Sequence, residues 1–208
     1  MNKIIAICGF IGSGKGTVAD ILDEEYAYTK VSFADTLKDS VAAVFGWPRH
    51  LLEGDTEASR VWREQVDTWW ATRLHISHLT PRWVLQQWGT EVCRMSFHDD
   101  IWAASVENRI RNNPFNIIIP DCRFPNEVRT IRNLGGEVWW VKRGPNPNWY
   151  DRAVNANVNH DTADKIWLVQ NVHASEWSWV GTEFDNVIEN NGPLDLLKYR
   201  IRCMFESA

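Results

Sequence analysis

The stretch "ICGFIGSGKGTVAD", Ile7 to Asp20, decides the fold. It closes a short apolar run, Lys3 to Phe10, that lacks polar alternation, the pattern of a strand buried on both faces. Gly9, Gly12 and Gly14 let backbone N–H groups turn inward, and Val18, Ala19, Ile21 and Leu22 then recur at helical spacing. Strand, glycine loop and helix in this order aim N–H groups and the positive helix end at phosphate oxygens, and Lys15 adds a charge for the outer phosphates. The expected phosphate-binding residues are Gly12, Ser13, Gly14, Lys15, Gly16 and Thr17, within a loop at 9–17. Gly16 stands where serine or threonine usually offers a hydroxyl to Mg²⁺, so Thr17 supplies the first hydroxyl.

Working outward, "TKVSFA" (Thr29 to Ala34) reads as a second strand and Asp35 as the cap of the helix "TLKDSVAAVF". Gly46 to Ser77 reads as mostly helical. Thr80 as N-cap and Pro81 at the first helical position open a helix to about Cys93, and Ser96 caps another carrying Trp102, Val106 and Ile110. "FNIIIPD" (Phe115 to Asp121), "EVWWVKR" and "FDNVIEN" (Phe184 to Asn190) supply three more strands. A helix with a glycine stop follows the first of these, and a C-terminal helix runs from Leu194 to about Phe205. Five strands alternating with helices predict an α/β fold: a parallel sheet covered on both faces as a three-layer sandwich.

The 208 residues carry no linker-like tract and are expected to form one domain. The formal net charge of -5 argues against a nucleic-acid polymer as partner and leaves room for a small anion held by local arginines. No apolar run approaches the roughly 18 residues of a membrane span, so no membrane partner is expected. Cys8, Cys93, Cys122 and Cys203 lack metal-ligand spacing and read as buried free thiols in a reducing cytoplasm.

Asp121 ends a buried strand where a phosphate-loop protein places the carboxylate that orients Mg²⁺ water or the attacking group, and Arg123 and Glu127 follow. Phosphoryl transfer between nucleotides gathers negative oxygens that planar donors must neutralise. Lys38, Arg60, Arg63, Arg82, Arg123, Arg143 and Arg152 are the basic candidates, any one of which could instead be a solvated surface charge. A guanine-specific signature of regulatory GTPases is missing.

"SFADTLKD", "LLEGDTEASRVWRE", "TPRWVLQQWGTEV", "FHDDIW", "IIIPDCRFPNE", "VWWVKR", "HASE" and "DNVIENNG", in this order, resemble the deoxynucleoside monophosphate kinases of tailed bacteriophages, and "GSGKGT" resembles the loop of adenylate-kinase-type enzymes. The resemblance implies a P-loop kinase fold that moves the γ-phosphoryl of ATP, with Mg²⁺, to a deoxynucleoside monophosphate (dNMP) in the host cytoplasm. It implies that Lys38 and Arg60 or Arg63 hold the acceptor's phosphate, and that Arg82, Gln86 and Thr90 face its sugar or base from one helix. Trp88 either stacks on a base or packs in the core, and Trp88 and Trp102 are the bulky candidates for excluding a 2′-hydroxyl. The acceptor region would span about 35–95. Lys15, Asp121, Arg123 and Arg152 would be catalytic, with Glu127 beside the acceptor and Thr17 and Asp121 serving Mg²⁺ directly or through water.

The polar segment at about 144–176 is a candidate lid or a plain loop. Arg143, Asn190 and Asn191 are expected near ATP, while His173 and Glu176 match a motif whose role the residues alone do not give. The resemblance is compatible with a homodimer. A kinase of another small acceptor, such as dephospho-coenzyme A, and a non-catalytic nucleotide switch are the alternatives.

Overall fold

A computed structural model describes residues 2–206. β1 (Ile4–Cys8) is buried along its whole length, as its apolar run requires, and leads through the glycine loop into α1 (Lys15–Tyr26). β2 (Tyr28–Lys30), β3 (Asn116–Ile119), β4 (Glu137–Lys142) and β5 (Asn186–Glu189) complete the sheet. The order is β2-β3-β1-β4-β5 and every pairing is parallel, with Ile5 opposite Ile118 on one side and Glu137 on the other. Parallel neighbours need crossovers, and helices supply them. This is the five-stranded, all-parallel α/β sheet that the sequence predicts.

The chain divides into two compact units, one comprising residues up to Ser32 and from Val106 onward, the other Phe33–Ser105. In the first, α1 and α11 (Leu194–Glu206) lay Val18, Leu22, Leu197 and Ile201 against Ile5, Ile7, Ile118 and Val141 of the sheet. α7 (Pro125–Asn133) lies along β1 and β4 and buries Val128 and Ile131. The segment 144–176 is neither a strand nor an extended loop: it forms α8 (Tyr150–Val158), α9 (Thr162–Asn171) and α10 (Ala174–Trp177).

The second unit is helical, as read for Gly46 to Ser77. It contains α2 (Asp35–Phe45), a 3₁₀ turn (Arg49–Leu52), α3 (Glu57–Glu64), α4 (Thr68–Leu74) and α5 (Pro81–Gln86). Val41, Leu52, Leu79 and Val84 form its core, to which Phe45, Trp62, Trp70 and Trp88 add aromatic surface. Asp67 knits it twice, capping α4 at Trp70 N (3.1 Å) and accepting from Trp47 Nε1 (2.8 Å). The expected acceptor region lies within this unit.

Five local readings need correction. β2 stops at Lys30, although Val31 N still donates to Ile118 O. Asp35 is the first residue of α2, not its cap, because Ala34 is already helical in φ and ψ. Thr80 caps α5 as read, accepting from Trp83 N at 3.1 Å, but beyond Gln86 the helix unwinds into a π-helix, Gln87–Met95. Ser96 donates to Glu91 O, closing the π-helix, and α6 (Ile101–Arg111) begins later. Cys8 and Cys122 are buried thiols, whereas Cys93 and Cys203 are partly exposed. Among the described residues, no helix is long and apolar enough to cross a membrane.

Candidate active site

The glycine loop leaves β1 at its carboxyl end, where open α/β sheets bind ligands. Two of its glycines are required by geometry. Gly9 has φ 154°, and a Cβ there would lie 2.5 Å from Val141 O. Gly14, the N-cap of α1, has φ 96°, and its Cβ would lie 2.3 Å from Asn190 Nδ2. Gly16 has neither constraint, since a Cβ would meet nothing within 4 Å. α1 starts without a side-chain cap and without an acidic residue in its first turn, which leaves its N–H groups and positive end available to an anion.

Lys15 turns back over the loop and donates to Gly9 O (2.8 Å) and Phe10 O (2.9 Å). Burial, with the nearby Arg123 charge, lowers its pKa to about 8, against the opposing pull of Glu176, Cys8 and Asp121. The Ser13 hydroxyl is buried beside it with no hydrogen-bond partner. A loop with a bent-back ammonium and an unsatisfied hydroxyl is equipped to receive phosphate oxygens.

Asp121 sits just past β3 and accepts from Ser32 Oγ at 2.5 Å. Arg123 extends its Nη1 to Ser175 Oγ (3.2 Å) and Glu176 Oε1 (3.1 Å), and His173 Nδ1 lies 2.9 Å from the same Ser175 hydroxyl. "HASE" is thereby explained as the bracket that holds Arg123. Glu127 is buried at 2% exposure and accepts from the N–H groups of Arg123 (2.8 Å) and Phe124 (3.1 Å). It shapes the turn that carries Arg123 and does not face an open surface.

Asn190 is also structural in this state. Its Nδ2 donates to Ser13 O at 2.8 Å and its backbone N–H to Lys142 O, so it clamps the glycine loop to the β4–β5 end. Asn191 Oδ1 accepts from Gly144 N at 2.7 Å, and Arg143 beside it is exposed. Arg152 pairs with Asp164 at 2.6 Å and lies 4.9 Å over the Trp167 ring, which holds it on α9. Phe10 of the glycine loop packs on Trp149 (5.5 Å), Tyr150 (6.2 Å) and Trp179 (4.8 Å), anchoring the start of α8.

In the second unit, Arg63 reaches the carbonyls of Leu52 (3.5 Å) and Glu53 (3.4 Å), and Arg60 those of Gly54 (3.2 Å) and Asp55 (3.0 Å). The Arg63 Nε is buried without a partner, and burial, then the charges of Arg82 and Arg60, lower its pKa. Arg82 itself pairs with Glu64 at 2.8 Å. Lys38 pairs with Glu53 at 2.6 Å, and Arg49, which the sequence reading missed, binds Glu53, Asp39 and Asp35. Burial penalises the Glu53 carboxylate, yet hydrogen bonds from Lys38 and Arg49 hold its pKa low. Gln86 is exposed and Thr90 half-buried. Trp88 packs edge-on to Phe45 at 6.2 Å, and Trp102 is buried with its Nε1 on Gly89 O at 2.9 Å. Trp102 is thus part of the core.

No family model matches the chain. Over 154 residues, 67% of this chain and 74% of the relative, it is 28% identical to an Acanthamoeba polyphaga mimivirus protein that carries the provisional name deoxynucleotide monophosphate kinase. Over 60 residues, 28% of this chain and 24% of the relative, it is 38% identical to the deoxynucleoside-5′-monophosphate kinase of Escherichia phage T5. The chain is similar in sequence to viral deoxynucleoside monophosphate kinases. Solved structures give broader likenesses: TT1252 from Thermus thermophilus (TM-score 0.48, 17% identity, 99% of this chain and 97% of that one) and a shikimate kinase from Aquifex aeolicus (TM-score 0.49, 11% identity, 98% and 96%).

Proposed function

We propose that the protein is an ATP-dependent deoxynucleoside monophosphate kinase, converting dNMP and ATP to dNDP and ADP. The observation that carries this reading is the uncapped, glycine-gated start of α1 with Lys15 bent over it, within electrostatic reach of Arg123, Asp121 and Glu176. The kinship with viral deoxynucleotide kinases supports the choice of acceptor.

In the proposed reaction a phosphate oxygen of the dNMP attacks the γ-phosphorus of ATP in line. A new P–O bond forms as the bridging β,γ P–O bond breaks, and the electron pair leaves with ADP. No protein nucleophile is needed. The loop N–H groups and α1 hold the β- and γ-phosphates, and Lys15 leaves the loop carbonyls to offset their charge. Arg123, braced by Glu176, offsets charge that builds on the transferring group. Among the described residues no cluster of three or more metal-ligating side chains exists, so a Mg²⁺ ion would rest mainly on phosphate and water oxygens. The Thr17 hydroxyl and the Asp121 carboxylate, oriented by Ser32, are oxygen donors of the kind that ion accepts. Mg²⁺ would supply charge neutralisation and orientation of the phosphates.

The proposed acceptor-phosphate group is Arg60, Arg63 and Arg82, with Lys38 joining on release from Glu53. A buried guanidinium lacking one partner and crowded by like charge gains from an anion. Arg152 and α8–α10 are proposed as the lid, with Arg152 exchanging Asp164 for phosphate oxygens on closure.

The test is a coupled assay of ADP formation with ATP and, in turn, each dNMP, the matching ribonucleotide, dephospho-coenzyme A and no acceptor. Turnover with one or more dNMPs well above the no-acceptor rate is expected. Turnover with dephospho-coenzyme A alone, or none with any acceptor, would reject the assignment.

A further inference from the structure

His173 opens the "HASE" segment and stands at the end of a short chain of hydrogen bonds that leads through Ser175 to Arg123, all within the first compact unit. The segment is seated on the core by Trp177, which is 5% exposed and donates from Nε1 to Val172 O at 3.2 Å. The backbone N–H of Ser175 donates to His173 Nδ1 at 3.3 Å, and the Ser175 hydroxyl lies 2.9 Å from the same nitrogen. A backbone N–H can only donate, so Nδ1 is an acceptor and carries no proton. The Ser175 O–H must therefore donate to Nδ1 as well. That turns the lone pairs of Oγ away from the ring, and Arg123 Nη1, again a pure donor, meets Oγ at 3.2 Å. The same Nη1 also donates to Glu176 Oε1 at 3.1 Å. A single acceptor leaves a guanidinium free to swing about one hydrogen bond, whereas two acceptors on one nitrogen fix its plane. Ser175 and Glu176 are those two acceptors.

We propose that His173 is a positioning residue for Arg123: its unprotonated Nδ1 takes up the Ser175 O–H and so makes the hydroxyl oxygen an acceptor for the guanidinium. The proposal rests on the reading of Arg123 as the group that offsets charge on the transferring phosphoryl. Without an acceptor at Nδ1 the hydroxyl is free to turn its hydrogen toward Arg123, where it opposes the guanidinium charge, and Glu176 alone holds Nη1. What the position requires is an acceptor at Nδ1, and an imidazole is one way to supply it. Asparagine places its Oδ1 close to where Nδ1 stands, while the longer glutamine mimics the Nε2 side of the ring and carries its oxygen past that point. Nδ1 also caps α10 through the Ser175 N–H. Ser175→Ala separates the two tasks, because it keeps that N–H and removes the hydroxyl.

The test compares the full chain with His173→Asn, His173→Gln, Ser175→Ala and the double variant His173→Gln/Ser175→Ala, by kcat and KM with ATP and a dNMP and by NMR of the ¹⁵N-labelled Arg123 guanidinium. His173→Gln and Ser175→Ala should each lower kcat about threefold to tenfold, the worth of one hydrogen bond, with the KM for ATP within about twofold. His173→Asn should keep kcat within about twofold, and in the Ser175→Ala background His173→Gln should cost less than about a further twofold. Separate Nη1 and Nη2 signals of Arg123 are expected in the unmodified protein and in His173→Asn, and merged or broadened ones in the other variants. An unchanged kcat in Ser175→Ala, an equal fall in His173→Asn and His173→Gln, or losses that add in the double variant would overturn the proposal. If the unmodified protein turned over no dNMP, the functional reading would fall and the NMR comparison would decide by itself: Arg123 signals alike in all the variants would overturn the positioning role, and the expected pattern would uphold it.

Discussion

Arg123 is held by Glu176, its Nη1 3.1 Å from the Oε1, although the two residues stand 53 positions apart in the chain. The pair fixes a guanidinium just past β3 and leaves its other nitrogens to an anion. Removing Glu176 costs Arg123 its orientation while the P-loop stays intact. Glu176→Ala should lower kcat about tenfold to a hundredfold, or about 1.4–2.7 kcal/mol in the barrier, with less than about threefold change in the KM for ATP. Glu176→Gln, which keeps an acceptor, should fall between. A rise in KM with kcat unchanged would show that Glu176 serves binding alone.

Lys15, with its pKa lowered to about 8, gives a pH signature. Below pH 8 the free protein carries the charge that polyphosphate needs. As pH rises through that value the free protein loses the proton, while bound phosphates favour keeping it. Nucleotide binding should therefore take up a fraction of a proton near pH 8–9, and the apparent Kd for ATP should rise with pH above about 8, by up to tenfold per unit. Calorimetry in buffers of different ionisation enthalpy measures the uptake. Lys15→Arg should flatten the profile, and a flat profile in the unmodified protein would contradict the assignment.

The glycine loop separates two kinds of glycine. Gly14→Ala must place a Cβ against Asn190 at positive φ and should cost about 1–3 kcal/mol of stability together with nucleotide binding. Gly16→Ala meets open space within α1 and should stabilise by about 0.5–1 kcal/mol. Thermal unfolding of the two variants checks the sign of each effect.

A glycine also guards Arg63, proposed to hold the acceptor's phosphate. A Cβ at Gly54, whose φ is 70°, would lie 1.9 Å from Arg63 Nη2. Gly54→Ala should displace the guanidinium and reproduce Arg63→Ala, raising KM for the dNMP about tenfold or more while the KM for ATP stays within about twofold. Arg82→Ala should shift in the same direction. A larger change in the ATP constant would move these arginines to the donor side.

The strands were legible because isoleucine-rich runs such as "NIIIP" have few other solutions than a sheet covered on both faces, and the loop because glycine and lysine positions encode it directly. The π-helix was hidden, since over nine residues the side-chain pattern of Gln87–Met95 fits either period. Contacts distant in sequence were hidden for another reason: nothing local in "HASE" points to Arg123, and nothing in "NNG" says that Asn190 will brace Ser13. Glu127 reads as lying beside the acceptor from its place after a strand end, and its two bonds from the backbone N–H groups of Arg123 and Phe124 were not legible in the sequence. Trp102 was a candidate by size, and its burial with a bond to Gly89 O was not legible in the sequence.

Trp102 is buried with its Nε1 on Gly89 O and Trp88 packs on Phe45, so both of the bulky candidates are engaged within the fold. Paired assays of dGMP with GMP and of dTMP with UMP should accordingly differ by about tenfold or less in kcat/KM. A ratio above about a hundredfold would require a contact to the 2′ position from residues other than these two.

The most direct test of phosphoryl transfer follows the label from [γ-³²P]ATP in the presence of Mg²⁺ and each dNMP, with the unmodified protein and with Lys15→Ala side by side. The account predicts labelled dNDP from the unmodified protein and less than about a tenth of that rate from Lys15→Ala, a loss above roughly 1.4 kcal/mol in the barrier, at an unchanged circular dichroism spectrum. Label appearing only as inorganic phosphate, or labelled dNDP at similar rates from both proteins, would contradict it.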